Sequence, residues 1–406
     1  MSLLPVSDAK ASLLGHAAPI RQVEKVPLAQ AAGRVLGLDL HAKMTQPPFD
    51  ASAMDGYALA AADAPAIGSE LTVVGSAAAG HAFDGKLEAG QAIRIFTGAP
   101  VPQGADSILI QEDAEKLDGN RIRTKFEVVK GRHVRPRGQD FAEGETVLKS
   151  GTLIDFSHLT VAAAMNHALL TVYRKPVVAV LATGDELVPP GAEPGLAQII
   201  ASSTFGVAAL VRENGAELLD LGIVRDDPEK IKAAITTARL AGADVLVTLG
   251  GASVGDHDLV QGALKSVGME LDFWRIAMRP GKPLMVGRLG NMQVLGLPGN
   301  PVASMVTGML FLEPLLRKLA HLPEKDREIK GVTARRLGAN DQRQDYLRAT
   351  LSRDADGKIV ADAFGKQDSS MMKIFSHADG LIVRAPHAPE LEEGAACPIL
   401  LIRPWP

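Results

Sequence analysis

The sequence predicts a multidomain α/β plus β protein. Its expected parts are a central three-layer α/β domain on a parallel sheet, a β-rich insert domain, a small C-terminal β-barrel-like domain, and a discontinuous linker domain of helical and extended segments. Three observations predict it. The chain has 406 residues, enough for two to four domains at roughly 100–200 residues each. From Pro176 onward, apolar strand patterns alternate with helical ones, which is the signature of βαβ units. On both sides of that stretch the strand patterns are short and broken by turn residues, in keeping with 40 Gly and 25 Pro against 4% aromatics.

Residues 1–45 begin the linker domain. Ala9, Leu13, Leu14 and Ala17 recur at helical spacing, and residues 28–36 read as a second helix. Residues 46–140 form the β-rich domain, with strands expected at 71–74, 92–95, 107–110, 121–124 and 127–129 between Gly, Pro and Asp turns. A helical stretch at 157–166 carries the chain through residues 141–175, the second half of the linker domain.

Residues 176–326 form the α/β domain: strand 177–181, helix 199–214, strand 217–224, helix 227–241 and strand 244–249. Asp227 is suited to cap its helix while Pro228 takes the first helical position, where a missing donor costs nothing. Asn300 and Pro301 repeat that device and open a helix to Leu319, with Val302, Met305, Val306, Met309, Leu312 and Leu316 on one apolar face. Residues 327–406 form the C-terminal β domain, with strands at 329–335, 346–351, 380–384 and 396–402.

Composition narrows the function classes. Net charge is −4, from 43 basic against 47 acidic residues, so no global field draws the chain to nucleic acid or an anionic membrane. A single cysteine, Cys397, fits a reducing compartment and excludes thiolate metal clusters. The N-terminal apolar stretch is broken by Pro5, Asp8 and Lys10, and no run of about 18 apolar residues suggests a membrane span. A cytoplasmic protein with small-molecule partners is expected.

Ligands of open parallel sheets bind outside the carboxyl ends of the strands. Carboxylates follow three of them: Thr183-Gly184-Asp185-Glu186, Arg225-Asp226-Asp227, and the run from Gly250 and Gly251 through Ser253 to Asp256, His257 and Asp258. A glycine turn lets backbone N–H groups approach an anion, and nearby carboxylates hold Mg²⁺ with phosphate and water. The plainer alternative is helix capping, and it is the stronger reading for Asp227. Arg279-Pro280-Gly281-Lys282-Pro283 presents two cations on a rigid loop, a fork and a point charge suited to an oxyanion. Leu297-Pro298-Gly299-Asn300-Pro301 leads into a helix start, where free N–H groups favour an anion.

In the β-rich domain, the run from Pro47 to Ala58 carries Asp50, Asp55 and Tyr57, and Arg135-Pro136-Arg137-Gly138-Gln139-Asp140 sets two guanidinium groups beside a carboxylate. Both also read as ordinary loops. The histidines form no helical pair suited to zinc. There is no G-x-S-x-G elbow and no G-x-x-x-x-G-K-[ST] loop.

With these runs laid out, the chain resembles the molybdopterin molybdenumtransferase (MoeA) family, which is related to the E domain of gephyrin. The likeness spans essentially the whole sequence: PPFDASAMDGYAL from Pro47, RIFTGAPVPQGAD from Arg94, RPRGQD from Arg135, ATGDEL from Ala182, GGASVGDHD from Gly250, MRPGKP from Met278 and LPGNPVAS from Leu297. The resemblance implies a transferase for the last step of molybdenum cofactor synthesis, with adenylated molybdopterin and molybdate as substrates and AMP released. It also implies Mg²⁺ dependence and a homodimer whose site lies between the α/β domain of one subunit and the β domain of its partner. Contact with the molybdopterin adenylyltransferase or recipient molybdoenzymes is a further expectation.

Carried onto this chain, the resemblance assigns Glu186, Asp256 and Asp258 to the metal and Asp226 to the same acidic cluster. Arg279 and Lys282 fall near molybdate, with Arg279 where Lys is common. Asp55, Thr97 and Asp140 match functional positions on the β-domain side. Gly250, Gly251, Ser253, Pro298, Asn300 and Pro301 match substrate positions. Arg343 to Arg348 resembles an R-x-E-F-x-R run, in which Arg348 is expected to bind substrate, and Ser369 falls near a serine-bearing molybdate loop and is expected to bind substrate as well. The chain departs from the family where Ile200, Ala201, Ser202 and Ser203 replace Tyr-Asp-Ser-Asn, where Ala51 stands in place of Asn, and where Lys373 and Ile374 replace a Ser-Ser pair. Those departures define the alternative of a non-catalytic or altered-activity molybdopterin-binding scaffold. A third reading, adenylyl transfer, would require G-G-T-G at Gly250 to Ser253.

Overall fold

The structure, a computed structural model, describes residues 3–250 and 259–406. Two compact units divide it: residues 1–24 with 173–406, and residues 25–172.

The larger unit is organised by a sheet in the order Glu217–Val224, Val177–Thr183, Val245–Leu249, Met292–Leu297, Pro283–Leu289 and Glu270–Arg275. The first four strands run parallel and the last two complete an antiparallel edge. Every residue from Val245 to Leu249 is buried, as expected of a strand covered on both faces. Val180, Val247 and Leu295 point to one core with Val207 and Val306, while Ala179, Leu246 and Val294 point to another with Ile231 and Ile235. The antiparallel ribbon from 270 to 297 is absent from the sequence expectation because Pro283, Gly287 and Gly290 interrupt its apolar pattern.

Two helical expectations of the α/β domain change. The helix expected at 199–214 begins at Ser203, since Ile199–Ile200 is instead a short strand paired in parallel with Leu187–Val188. Asp227 caps its helix as expected, accepting from the Glu229 and Lys230 N–H groups at 2.9 and 3.3 Å. Asn300 does not repeat the device, because its side chain makes no cap hydrogen bond. The helix it opens runs to Leu319 through a π turn at Gly308–Leu312. Pro314 lies just beyond, and its missing N–H removes the regular bond to the carbonyl four residues back.

Beyond this helix a five-stranded barrel closes. Gln344–Arg353 pairs with Ile359–Ala363, which pairs with Glu328–Thr333, then Ala396–Leu401, then Gly380–Arg384, which returns to Gln344–Arg353. Ala349, Leu351, Ala361, Ile382, Cys397 and Ile399 fill it. The two-residue strand Met278–Arg279 leaves the α/β sheet and pairs in parallel with Gln344 and Asp345 at the barrel edge.

The N-terminal helix Val6–His16 packs in this unit. Val6, Ala9 and Leu13 join the core of Leu312, Leu316 and Leu319, and the Leu4 backbone bonds to Arg275 and Ala277. The other linker segments belong to the smaller unit, where Val26, Leu36 and Leu40 share a core with Phe141, Ile154, Met165 and Val172. Residues 28–36 are not a helix there. A single 3₁₀ turn spans Leu28–Gln30, then Val35 and Leu36 form bridges to Leu153 and Val172, with Gly33 at φ 73° turning the chain between them.

The rest of the smaller unit is a six-stranded sheet in the order Ser107–Ile110, Gly56–Leu59, Gln91–Ile95, Glu70–Ala77, Arg121–Thr124 and Ala114–Leu117. Period-two alternation sends Tyr57 and Leu59 to one core and Ala58 to the other. Residues 127–129 form no strand. The Val129 carbonyl instead accepts from Ser107 Oγ at 2.8 Å.

Candidate active site

The parallel strands Val177–Thr183 and Val245–Leu249 end side by side at Thr183 and Gly250. Gly250 has φ 91°, and a Cβ there would lie 2.6 Å from the Thr183 carbonyl, so only glycine lets the chain turn this tightly over the strand end. Thr183 is buried, and its hydroxyl has no hydrogen-bond partner among the described residues. These strand ends open into a cavity of about 910 Å³ within the larger unit.

Three segments complete the cavity. The loop after Thr183 contributes Glu186, the cavity's only carboxylate among the described residues. The Arg279–Pro283 loop contributes two cations. Lys282 is exposed and makes no ion pair with a described residue, whereas Arg279 is held by Asp345 and lies 3.5 Å from Asp341. Gly281, at φ 113°, packs so closely on Thr307 that a Cβ would lie 2.5 Å from its methyl carbon. The third segment is the barrel loop bearing Gln367, Ser369 and Ser370, which meets Pro298, Asn300 and Pro301 across the cavity.

That meeting is built from defined hydrogen bonds. Asn300 Nδ2 donates to Ser369 Oγ at 3.0 Å, and the Val302 N–H donates to the Ser369 carbonyl at 3.1 Å. The helix start expected to bind an anion therefore uses the Val302 N–H on this loop. Ser304 Oγ bonds the Pro298 and Asn300 carbonyls, fixing the turn before the helix.

Arg348, expected to bind substrate, is 1% exposed and does not line the cavity. Its Nε donates to Gln367 Oε1 at 2.9 Å and its Nη1 to the Asp368 carbonyl at 2.8 Å. It therefore acts through the loop, as a positioning residue. Asp226 is exposed beyond the edge strand Glu217–Val224 and does not line the cavity either. Gly251, Ser253, Asp256 and Asp258 lie outside the described residues.

In the smaller unit, Asp55 Oδ1 accepts from both the backbone N–H and the hydroxyl of Thr97 at 2.8 Å. Those bonds hold the Asp55 carboxyl below its usual range. Asp140 and Arg135 line a separate hollow of about 540 Å³ with Pro47 and Phe49.

Sequence reasoning missed the lining formed by Gln367 and Met372, and marked Ile200 only as a departure from the family. Gln367 carries no motif; only the burial of Arg348 reveals it. Ile200 and Met372 add an apolar side to a cavity whose other side is ionic.

Among the described residues no three His, Cys, Asp or Glu side chains gather as a metal cluster, and no helix is long and apolar enough to cross a membrane. The lone Glu186 still suits a hard cation that takes one protein carboxylate and fills its remaining positions with water and phosphate, the usual habit of Mg²⁺.

Fold and cavity together define a multidomain α/β protein with a cavity of mixed ionic and apolar lining at the carboxyl ends of its parallel strands. More narrowly, the chain belongs to the MoeA family. Residues 4–166 match the MoeA N-terminal region (domain I and II), residues 179–318 a probable molybdopterin binding domain, and residues 330–402 the MoeA C-terminal region (domain IV).

The chain is 33% identical to a molybdopterin molybdenumtransferase of Haemophilus influenzae over 94% of both chains. It is 36% identical to one of Nostoc over 82% of this chain and 78% of that one. A crystal structure of a molybdopterin biosynthesis MoeA protein from Pyrococcus horikoshii covers 100% of both chains at 30% identity, with a TM-score of 0.84.

Proposed function

We propose that this protein is a molybdopterin molybdenumtransferase, which inserts molybdate into adenylated molybdopterin and releases AMP. One observation carries the reading: a single cavity assembles Glu186, Arg279, Lys282, Asn300 and Ser369 from segments far apart in sequence. At about 910 Å³ it is large enough for a nucleotide-sized organic ligand beside an oxyanion. Family membership supports the same chemistry.

The residues divide the work by charge. Lys282 supplies a point charge and Arg279 a planar fork, both suited to the oxygens of molybdate. Ser369 and Ser370 add hydroxyl donors on the facing loop. Leu187, Ile200 and Met372 offer apolar surface to the organic part of the substrate. Cleavage of the anhydride between AMP and molybdopterin develops charge on phosphoryl oxygens, and cations fixed beforehand stabilise that charge without reorganising. Bound Mg²⁺ would neutralise phosphate charge beside Glu186, with Asp256 and Asp258 proposed as its further ligands.

The reading extends to a homodimer in which Asp55, Thr97 and Asp140 serve the partner subunit's cavity, and to a cytoplasmic setting. Contacts with the adenylyltransferase or recipient enzymes belong to the same proposal. Family resemblance is the support for these finer points.

The test supplies purified protein with adenylated molybdopterin, molybdate and Mg²⁺. Release of AMP together with a cofactor that activates a recipient molybdoenzyme is expected. Ligand binding without AMP release would favour a scaffold instead.

A further inference from the structure

Arg279 and Asp345 are Cα partners in the short parallel pairing that joins the α/β sheet to the barrel. They differ in setting. Asp345 is 3% exposed, while the Arg279 side chain is about half exposed and lines the cavity. Arg279 Nη2 donates to Asp345 Oδ2, and Asp345 Oδ1 is buried with no partner among the described residues. Arg279 is the only cation paired with Asp345 among the described residues. The neighbouring carboxylate, Asp341, is taken chiefly by Arg343, at 2.8 Å against 3.5 Å to Arg279.

A buried carboxylate with one oxygen unsatisfied is a poor device for stability, because desolvation offsets much of what the single pair contributes. Its evident effect is on orientation. A guanidinium gripped at one edge cannot swing, and its remaining N–H groups stay fixed beside the cavity.

We propose that Asp345 is a positioning residue for oxyanion recognition, acting through Arg279 across this register pair. The inference rests on the preceding reading of the cavity as a molybdate site. It makes a geometric demand. The two Cα positions are fixed by strand pairing, so the combined reach of the side chains must match their separation. Lysine ends one bond short of arginine's terminal nitrogens, and glutamate is one methylene longer than aspartate. Exchanging both residues restores the reach; exchanging either alone does not.

The experiment compares wild type with Asp345→Asn, Arg279→Lys, Asp345→Glu and the double variant Arg279→Lys/Asp345→Glu. It reads the KM for molybdate and, separately, the KM for adenylated molybdopterin from AMP release, with thermal unfolding as the check on folding. Asp345→Asn is expected to raise the molybdate KM about 10-fold while the other KM stays within about twofold, the mark of a contact confined to one substrate. Each length variant is expected to raise the molybdate KM, and the double variant to recover at least about threefold relative to either single.

An unchanged molybdate KM in Asp345→Asn overturns the inference, as does a parallel rise in both KM values or an additive double variant. If Asp345→Asn fails to fold, the length-exchange comparison decides alone. Wild type that turns over with no molybdate saturation would instead overturn the reading of the cavity itself, and this inference with it.

Discussion

Asn300 Nδ2 reaches Ser369 Oγ at 3.0 Å, tying the first turn of the Pro301–Thr307 helix to the barrel loop that faces it across the cavity. Because the two side chains are each other's partner, removing either breaks the same bond. Asn300→Ala and Ser369→Ala are each expected to raise the substrate KM several-fold. The double variant is expected to lose little more than the worse single, a coupling of about 0.5–3 kcal/mol in the cycle. Additive losses would mean that the two side chains act separately.

Arg348 shapes the same loop from beneath. Arg348→Met preserves bulk but removes the two guanidinium bonds, leaving the Gln367 carboxamide oxygen with only the backbone N–H of residue 348 and the Asp368 carbonyl with only the Met371 N–H. The expected cost is about 1–3 kcal/mol in denaturant unfolding, together with a raised substrate KM. A variant with wild-type stability and kinetics would remove Arg348 from this role.

Gly250→Ala tests the turn at the strand end. Its φ of 91° and the 2.6 Å approach to the Thr183 carbonyl both oppose a side chain. Positive-φ strain alone is worth about 1–3 kcal/mol. We expect AMP release to fall by at least about 10-fold, with stability lowered by no more than that strain. Full activity would show that the backbone here has room to move.

Glu313 gives a prediction about pH. It is 3% exposed, and Arg327 bonds both its oxygens, at 2.6 and 2.7 Å. Burial pushes its carboxyl upward, but Arg327, with help from Lys325, more than offsets this and holds it below the ordinary glutamate value of 4.5. A lowered folded value means that the contribution is fully present above pH 4.5 and is lost as pH falls below it. Wild type should therefore lose more unfolding free energy than Glu313→Gln when the pH is lowered from about 6 to about 3. At neutral pH Glu313→Ala should cost up to about 3–5 kcal/mol, because the half-buried Arg327 loses its carboxylate partner and keeps only the Leu401 and Ile402 carbonyls. Equal acid sensitivity of wild type and Glu313→Gln would contradict the assignment.

The parts legible in sequence were those where local pattern and tertiary role agree. The 217–224 and 380–384 strands have the expected bounds, and Val302, Val306, Leu312 and Leu316 face the core as their spacing required. Residues 28–36 misled because Val35 and Leu36 were taken up by extended pairing with Leu153 and Val172, contacts more than a hundred residues away in sequence. Asn300 has the residue type of a cap, yet its amide is spent on Ser369, a partner no local rule predicts. Arg348 misled for a related reason. Arginine is ordinarily exposed, so nothing along the chain announced that this one is buried and serves Gln367. The cavity's charged loops were visible as motifs, whereas its apolar side at Ile200 and Met372 exists only once the barrel loop meets the α/β domain.

The central claim is that Lys282, at the cavity mouth and without an ion-pair partner among the described residues, meets the molybdate. The most direct measurement is the molybdate dependence of AMP release by wild type and by Lys282→Ala at equal folded concentration. A lost charge-assisted contact of about 1.5–3 kcal/mol predicts a molybdate KM raised roughly 10- to 150-fold, with the KM for adenylated molybdopterin little changed. An unchanged molybdate KM in the variant would contradict the account.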